Sequence, residues 1–153
     1  MNELKGACII GQSGGPTSAI NATLAGVIRE SLKTEEITTL YGMRNGIEGF
    51  LEDRLIDLDA AFADLKDLSL LEATPSAALG SCRKKLPKIE EGREVYERLI
   101  EIFKKYDIRY FFYIGGNDSM DTVAKLSAYT KSHSYEMVIL GVPKTIDNDL
   151  VGT

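Results

Sequence analysis

Two apolar runs in this chain stop on a glycine-rich turn and resume with helical spacing, a pattern that few folds accommodate. Ala7-Cys8-Ile9-Ile10 breaks into Gly11-Gln-Ser-Gly-Gly-Pro16, after which Ile20, Leu24, Val27, Ile28 and Leu32 recur along one helix face. The run over residues 109–114 breaks on Gly115-Gly116 and is followed by a helical stretch over residues 118–130. A third run, residues 137–142, leads into Pro143-Lys-Thr-Ile-Asp-Asn-Asp149. Strands that are apolar throughout are buried on both faces. A helix between two of them returns the chain to the same end of the sheet. The alternation therefore predicts a parallel, doubly wound α/β sheet.

The remaining segments fit between these elements. Ser18 is expected to cap the first helix. Residues 37–41 read as a second strand, residues 42–46 as a turn, residues 55–58 as a short edge strand, and residues 60–65 as a weak helix. Residues 74–88, rich in Ser, Gly, Pro and Lys, read as a long loop of functional type. Residues 91–105 form an amphipathic helix with Val95, Leu99, Ile102 and Phe103 on its apolar face. Tyr110 to Tyr113 read as sheet core, and His133 as solvated surface. The chain has 153 residues, 44% hydrophobic and 27% charged, enough for one domain with a proper core. A net charge of −5 argues against a nucleic-acid binder, although Arg83-Lys84-Lys85 is a local basic pocket. No apolar run reaches bilayer length, and the N-terminus lacks a signal-peptide layout. Cys8 in a buried strand and Cys82 in a loop read as free thiols of a reducing compartment, so the expected location is cytoplasmic. The chain stops just after its most polar motif, which leads us to expect the N-terminal piece of a longer polypeptide.

Three strand ends carry unusual residues: Ser13-Gly14-Gly15-Pro16, Gly115-Gly116-Asn117-Asp118-Ser119, and the stretch from Lys144 to Asp149. Glycine lets backbone approach a ligand, and a helix N-terminus offers unpaired N–H groups with a dipole that favours anions. Each turn alone also has a plain steric reading, as Arg83 has one as a surface cation. Two such turns beside an acidic cluster point to a phosphate site. Neither matches the Gly-x4-Gly-Lys-Ser/Thr loop or the Gly-x-Gly-x-x-Gly fingerprint.

Four motifs, Ser13-Gly-Gly-Pro-Thr-Ser-Ala-Ile-Asn-Ala22, Leu79-Gly-Ser-Cys-Arg83, Gly115-Gly-Asn-Asp-Ser119 and Pro143-Lys-Thr-Ile-Asp-Asn-Asp149, resemble the phosphofructokinase family in order and spacing. The resemblance implies the N-terminal part of that fold, a three-layer Rossmann-like domain with a mostly parallel sheet. It implies one donor-binding domain over residues 1–153, with the sugar-phosphate half outside this chain. Asp147 is then the general base toward the C1 hydroxyl of fructose 6-phosphate, with Thr145 and Ile146 beside it in substrate binding and Asp149 as a nearby polar support. Gly14 and Gly15 would cradle the phosphoryl donor through backbone N–H groups, Arg83 would neutralise its oxygens, and Ser119 would contact it.

Within the resemblance, Asp118 and Lys144 indicate the donor. ATP-using members typically carry glycine at both positions, whereas pyrophosphate users carry aspartate and lysine. A carboxylate at Asp118 crowds and repels a nucleotide α-phosphate, and Lys144 supplies charge to a donor without an adenosine handle. Both are assigned catalytic roles, and pyrophosphate is the expected donor. The alternatives are ATP dependence and a non-catalytic phosphate-binding fragment. Asn117 departs from the family aspartate that helps hold Mg²⁺. The metal is still expected, with Asn117 at its shell and Asp118 sharing the role. The full-length protein is expected to be a homo-oligomer, and the isolated 153-residue chain to be inactive.

Overall fold

A computed structural model of the chain describes residues 4–144 and residue 151. Its centre is β1 (Gly6–Gln12), every residue of which is buried. Alternation along β1 divides the interior in two. Ala7 and Ile9 face a core shared with α2 (Gly46–Leu51), α5 (Arg93–Lys105) and α6 (Asn117–Ser132). Cys8 and Ile10 face a second core built on α1 (Ile20–Ser31), α3 (Leu58–Ala61) and α4 (Leu65–Ala73). These two cores on one sheet are the three layers expected from the apolar runs.

The sheet has five strands in the order β3-β2-β1-β4-β5, formed by β2 (Ile37–Met43), β3 (Leu55–Asp57), β4 (Ile108–Gly115) and β5 (Val138–Pro143) around β1. All pairs are parallel except β2 with β3, whose short edge strand runs antiparallel. After β1 the chain crosses to β2 on one side, while β4 lies on the other. The carboxyl ends of β1 and β4 therefore sit side by side where the connections diverge, Gln12 opposite Ile114. Such a switch point leaves a crevice for ligands in open α/β sheets.

Several local expectations need correction. Ser18 does not cap α1: the N-cap is Ala19, which lacks a side-chain cap bond. The Thr17 hydroxyl instead accepts the Ala19 N–H at 3.3 Å. The helix over residues 60–65 is replaced by two helices, because two aspartates each start one. Asp57 accepts the Ala60 N–H at 2.9 Å and Asp64 accepts the Lys66 N–H at 2.9 Å. The turn over residues 42–46 is shorter than expected: β2 continues to Met43, and the reversal is made by Asn45 and Gly46 with φ of 60° and 59°. Val95 packs half-buried against the core with Leu99, Ile102 and Phe103 as expected, and the apolar face of α5 also includes the fully buried Tyr96. The long loop is present, with neither helix nor strand between α4 and α5. Cys8 and Cys82 are both free and buried. Among the described residues, no helix is long and apolar enough to cross a membrane.

Candidate functional site

The crevice at the switch point is a cleft of about 340 Å³. Ser13, Gly14 and Gly15 line it from the β1 end, Gly116 to Ser119 from the start of α6, Cys82 to Lys84 from the long loop, and Lys144 from the end of β5. Seven residues expected from the sequence meet here: Gly14, Gly15, Arg83, Asn117, Asp118, Ser119 and Lys144. Thr145, Ile146, Asp147 and Asp149 lie outside the described residues.

The floor is held by backbone. Ser13 N–H bonds the Ile114 carbonyl at 2.9 Å and Lys144 N–H bonds the Gly115 carbonyl at 2.8 Å, so the three strand ends are tied edge to edge. Gly14 takes φ of +77°, open to glycine at little cost. Its N–H donates to the Cys82 carbonyl at 3.0 Å, which leaves the cradle to other amides. At α6, Ser119 N–H turns back to the Gly116 carbonyl at 3.0 Å. Among the described residues, the N–H groups of Gly15, Asn117 and Asp118 keep no such partner and remain available to an anion.

Side chains from distant segments then close the cleft. The Lys144 ammonium crosses from β5 to the Gly15 carbonyl, joining the outer wall to the β1 end. The Cys82 carbonyl accepts the Ser13 hydroxyl at 3.3 Å, and the Ser81 hydroxyl donates to the Gly14 carbonyl. Arg83 and Lys84 are exposed beside these anchors, and Arg83 makes no ion pair among the described residues. Asp118, in the first turn of α6, pairs with Lys85 at 2.9 Å. Ser119 is 2% exposed and packs against Gly115, where any added Cβ would also stand 2.9 Å from the Ser13 carbonyl. Three cations therefore line the cleft against one carboxylate, an arrangement suited to a compact polyanion.

The loop that delivers Arg83 is fastened by two buried amides that local sequence patterns do not single out. Gln12 accepts the Leu79 N–H at 2.9 Å and donates to Asn21 Oδ1 at 3.0 Å. Asn21 Oδ1 accepts the Ala78 N–H at 2.9 Å, while its Nδ2 donates to the Thr74 carbonyl at 2.9 Å. Tyr113 completes the support beneath Cys82, its hydroxyl accepting the Ile47 N–H at 3.1 Å. Burial raises the Tyr113 pKa above the usual phenolic value, so the hydroxyl stays neutral. Lys84 and Lys85 are visible in the sequence only as neighbours of Arg83 in a basic run. Their separate places, one in the cleft and one on Asp118, depend on how the loop folds.

The family model for phosphofructokinase matches residues 7–153. The chain belongs to the phosphofructokinase family. It is 47% identical over 148 residues to the pyrophosphate–fructose 6-phosphate 1-phosphotransferase of Xanthomonas campestris pv. campestris (strain B100), covering 97% of this chain and 34% of that protein. It is similar at 33% identity over 141 residues to an ATP-dependent 6-phosphofructokinase of Actinobacillus pleuropneumoniae serotype 5b (strain L20), covering 92% of this chain and 39% of that protein. Among solved structures, the pyrophosphate-dependent phosphofructokinase from Nitrosospira multiformis superimposes with a TM-score of 0.87 at 46% identity, over 96% of this chain and 35% of that one. The chain thus spans about a third of the length of these pyrophosphate-dependent relatives. Among the described residues, no three His, Cys, Asp or Glu side chains gather into a metal-binding group.

Proposed function

We propose that this chain supplies the phosphoryl-donor site of a pyrophosphate-dependent phosphotransferase. The reaction moves a phosphoryl group from pyrophosphate to the C1 hydroxyl of fructose 6-phosphate, giving fructose 1,6-bisphosphate and phosphate. The observation that carries this reading is the charge of the donor cleft, with Lys144 on one wall and Asp118 on another; the family resemblance implies glycine at both positions in ATP users. Higher identity to relatives named for pyrophosphate than to relatives named for ATP supports it.

Asp147 takes the proton from the attacking C1 hydroxyl, with Thr145 and Ile146 holding the sugar beside it and Asp149 as a nearby polar support. Lys144 and Arg83 offset the charge that develops on the transferring group and on the leaving phosphate. The Gly15 amide, Ser119 and the start of α6 receive donor oxygens, with Gly14 shaping the turn that admits them. Magnesium keeps several waters and takes one or two carboxylates together with phosphate oxygens. The neighbouring Asn117 and Asp118 fit that requirement, one amide and one carboxylate, for an ion carried in by pyrophosphate. When bound, Mg²⁺ neutralises phosphate oxygens; orientation and proton transfer stay with the protein groups. The enzyme would be cytoplasmic, and homo-oligomeric in full-length form.

A coupled assay on the full-length protein, run with pyrophosphate or ATP and Mg²⁺, tests the donor. Turnover is expected with pyrophosphate, in both directions, since the bonds exchanged are of comparable energy. Turnover with ATP and none with pyrophosphate would overturn the reading.

A further inference from the structure

We infer that Lys85 is a positioning residue for donor selection, acting through Asp118 at the mouth of the cleft. This rests on the donor site proposed above. Asp118 stands in the first turn of α6, where the helix N-terminus favours negative charge. An entering phosphate seeks that same charge environment, so a bare carboxylate there opposes it. Lys85 reaches over from the loop between α4 and α5 and pairs with Asp118 Oδ1 at 2.9 Å. The pair ties the loop to the start of α6 at the cleft mouth, while further along the same helix the Lys125 ammonium donates to the Leu86 carbonyl at 2.9 Å.

Two consequences follow. The ammonium offsets the Asp118 charge, so a short polyanion meets Arg83, Lys84 and Lys144 without net opposition from α6. The pair also holds the carboxylate in one place, so its bulk stays where a nucleotide would need room. Both side chains are more than half exposed, 68% and 60%, so the bridge adds little to folding stability. Its effect falls on the ligand.

The test measures pyrophosphate binding to the full-length protein by calorimetry with Mg²⁺ present, across a Lys85 and Asp118 double-mutant cycle. Lys85→Met is expected to weaken binding roughly tenfold, while Lys85→Arg stays within about threefold. In an Asp118→Gly background, Lys85→Met should change binding by less than about twofold, because its partner is gone. A thermal melt should not move. Equal weakening in both backgrounds would mean that Lys85 acts on the anion itself, and no weakening in either that it acts on nothing; each overturns the inference. Coupling without pyrophosphate turnover keeps this inference and removes the proposed reaction. Turnover without coupling does the reverse, and a protein that fails to bind pyrophosphate removes both.

Discussion

Lys144 and Asp118 come from different strand ends and meet in one cleft, to which each adds a charge. Under the proposed function the donor choice is a matter of two side chains. Changing both, Asp118→Gly with Lys144→Gly, should lower kcat/KM for pyrophosphate by roughly 10²-fold or more and improve the ratio for ATP. An unchanged donor ratio in the coupled assay would count against both assignments. Asp147→Asn removes the proposed base without changing its size. It is expected to reduce kcat by about 10²–10⁴-fold with little effect on pyrophosphate affinity, measured by steady-state kinetics beside calorimetry. Gly46 shows a structural limit of the same kind. Its φ is +59°, and an added Cβ would lie 2.9 Å from both Cys82 Sγ and the Gln12 carbonyl. Gly46→Ala should destabilise the chain by about 2 kcal/mol or more, read from chemical denaturation.

Among the elements, the stretch between α4 and α5 carries the site and has no ladder of its own. Its order comes from Gln12 and Asn21, both essentially fully buried, whose amides take up the Leu79 and Ala78 N–H groups and the Thr74 carbonyl. Asn21→Ala removes the partner of the Ala78 N–H and of the Thr74 carbonyl, and leaves the Gln12 amide with only the Ile20 carbonyl at 3.3 Å. The expected cost is about 1–3 kcal/mol, with amide exchange at Ala78 and Leu79 accelerating before the rest of the chain opens. Exchange at those positions that still tracked global unfolding would show that the loop is held by something else. The four motifs that carry the family resemblance were legible as residues, Arg83 among them, while Asn21 stood in one of them with no role of its own. Their connection was not, because a hydrogen bond spanning more than fifty residues leaves no local periodicity. The split of residues 58–73 into α3 and α4 was missed for a different reason. Asp57 and Asp64 are ordinary polar residues until the backbone offers each an N–H to cap.

Across the whole molecule, the two cores depend on one strand buried on both faces and on helices fastened around it. Burial pushes the Cys8 thiol up to about 12, so it stays protonated and unreactive inside the sheet. The turn after α2 is tied to the end of α5 by Asp53 and Lys105. The Lys105 hydrogen bond holds the Asp53 pKa below the ordinary 3.8. A depressed folded pKa stabilises the fold at pH above 3.8, and that contribution is lost as pH falls through the lower folded value. Thermal melts should therefore separate wild type from Asp53→Asn at neutral pH and converge in acid; a gap independent of pH would refute the pairing. The sequence alone determined the alternation of strands and helices, the glycine-broken strand ends and the residue types of the site, because strand and helix periods and turn chemistry are local. Only the tertiary structure decided that β1 and β4 lie side par side at the switch point. It also decided that Lys85 rather than Arg83 pairs with Asp118, and that the Gly14 N–H is engaged by Cys82. Those outcomes turn on which distant backbone and side-chain groups become neighbours when both sheet faces are buried at once.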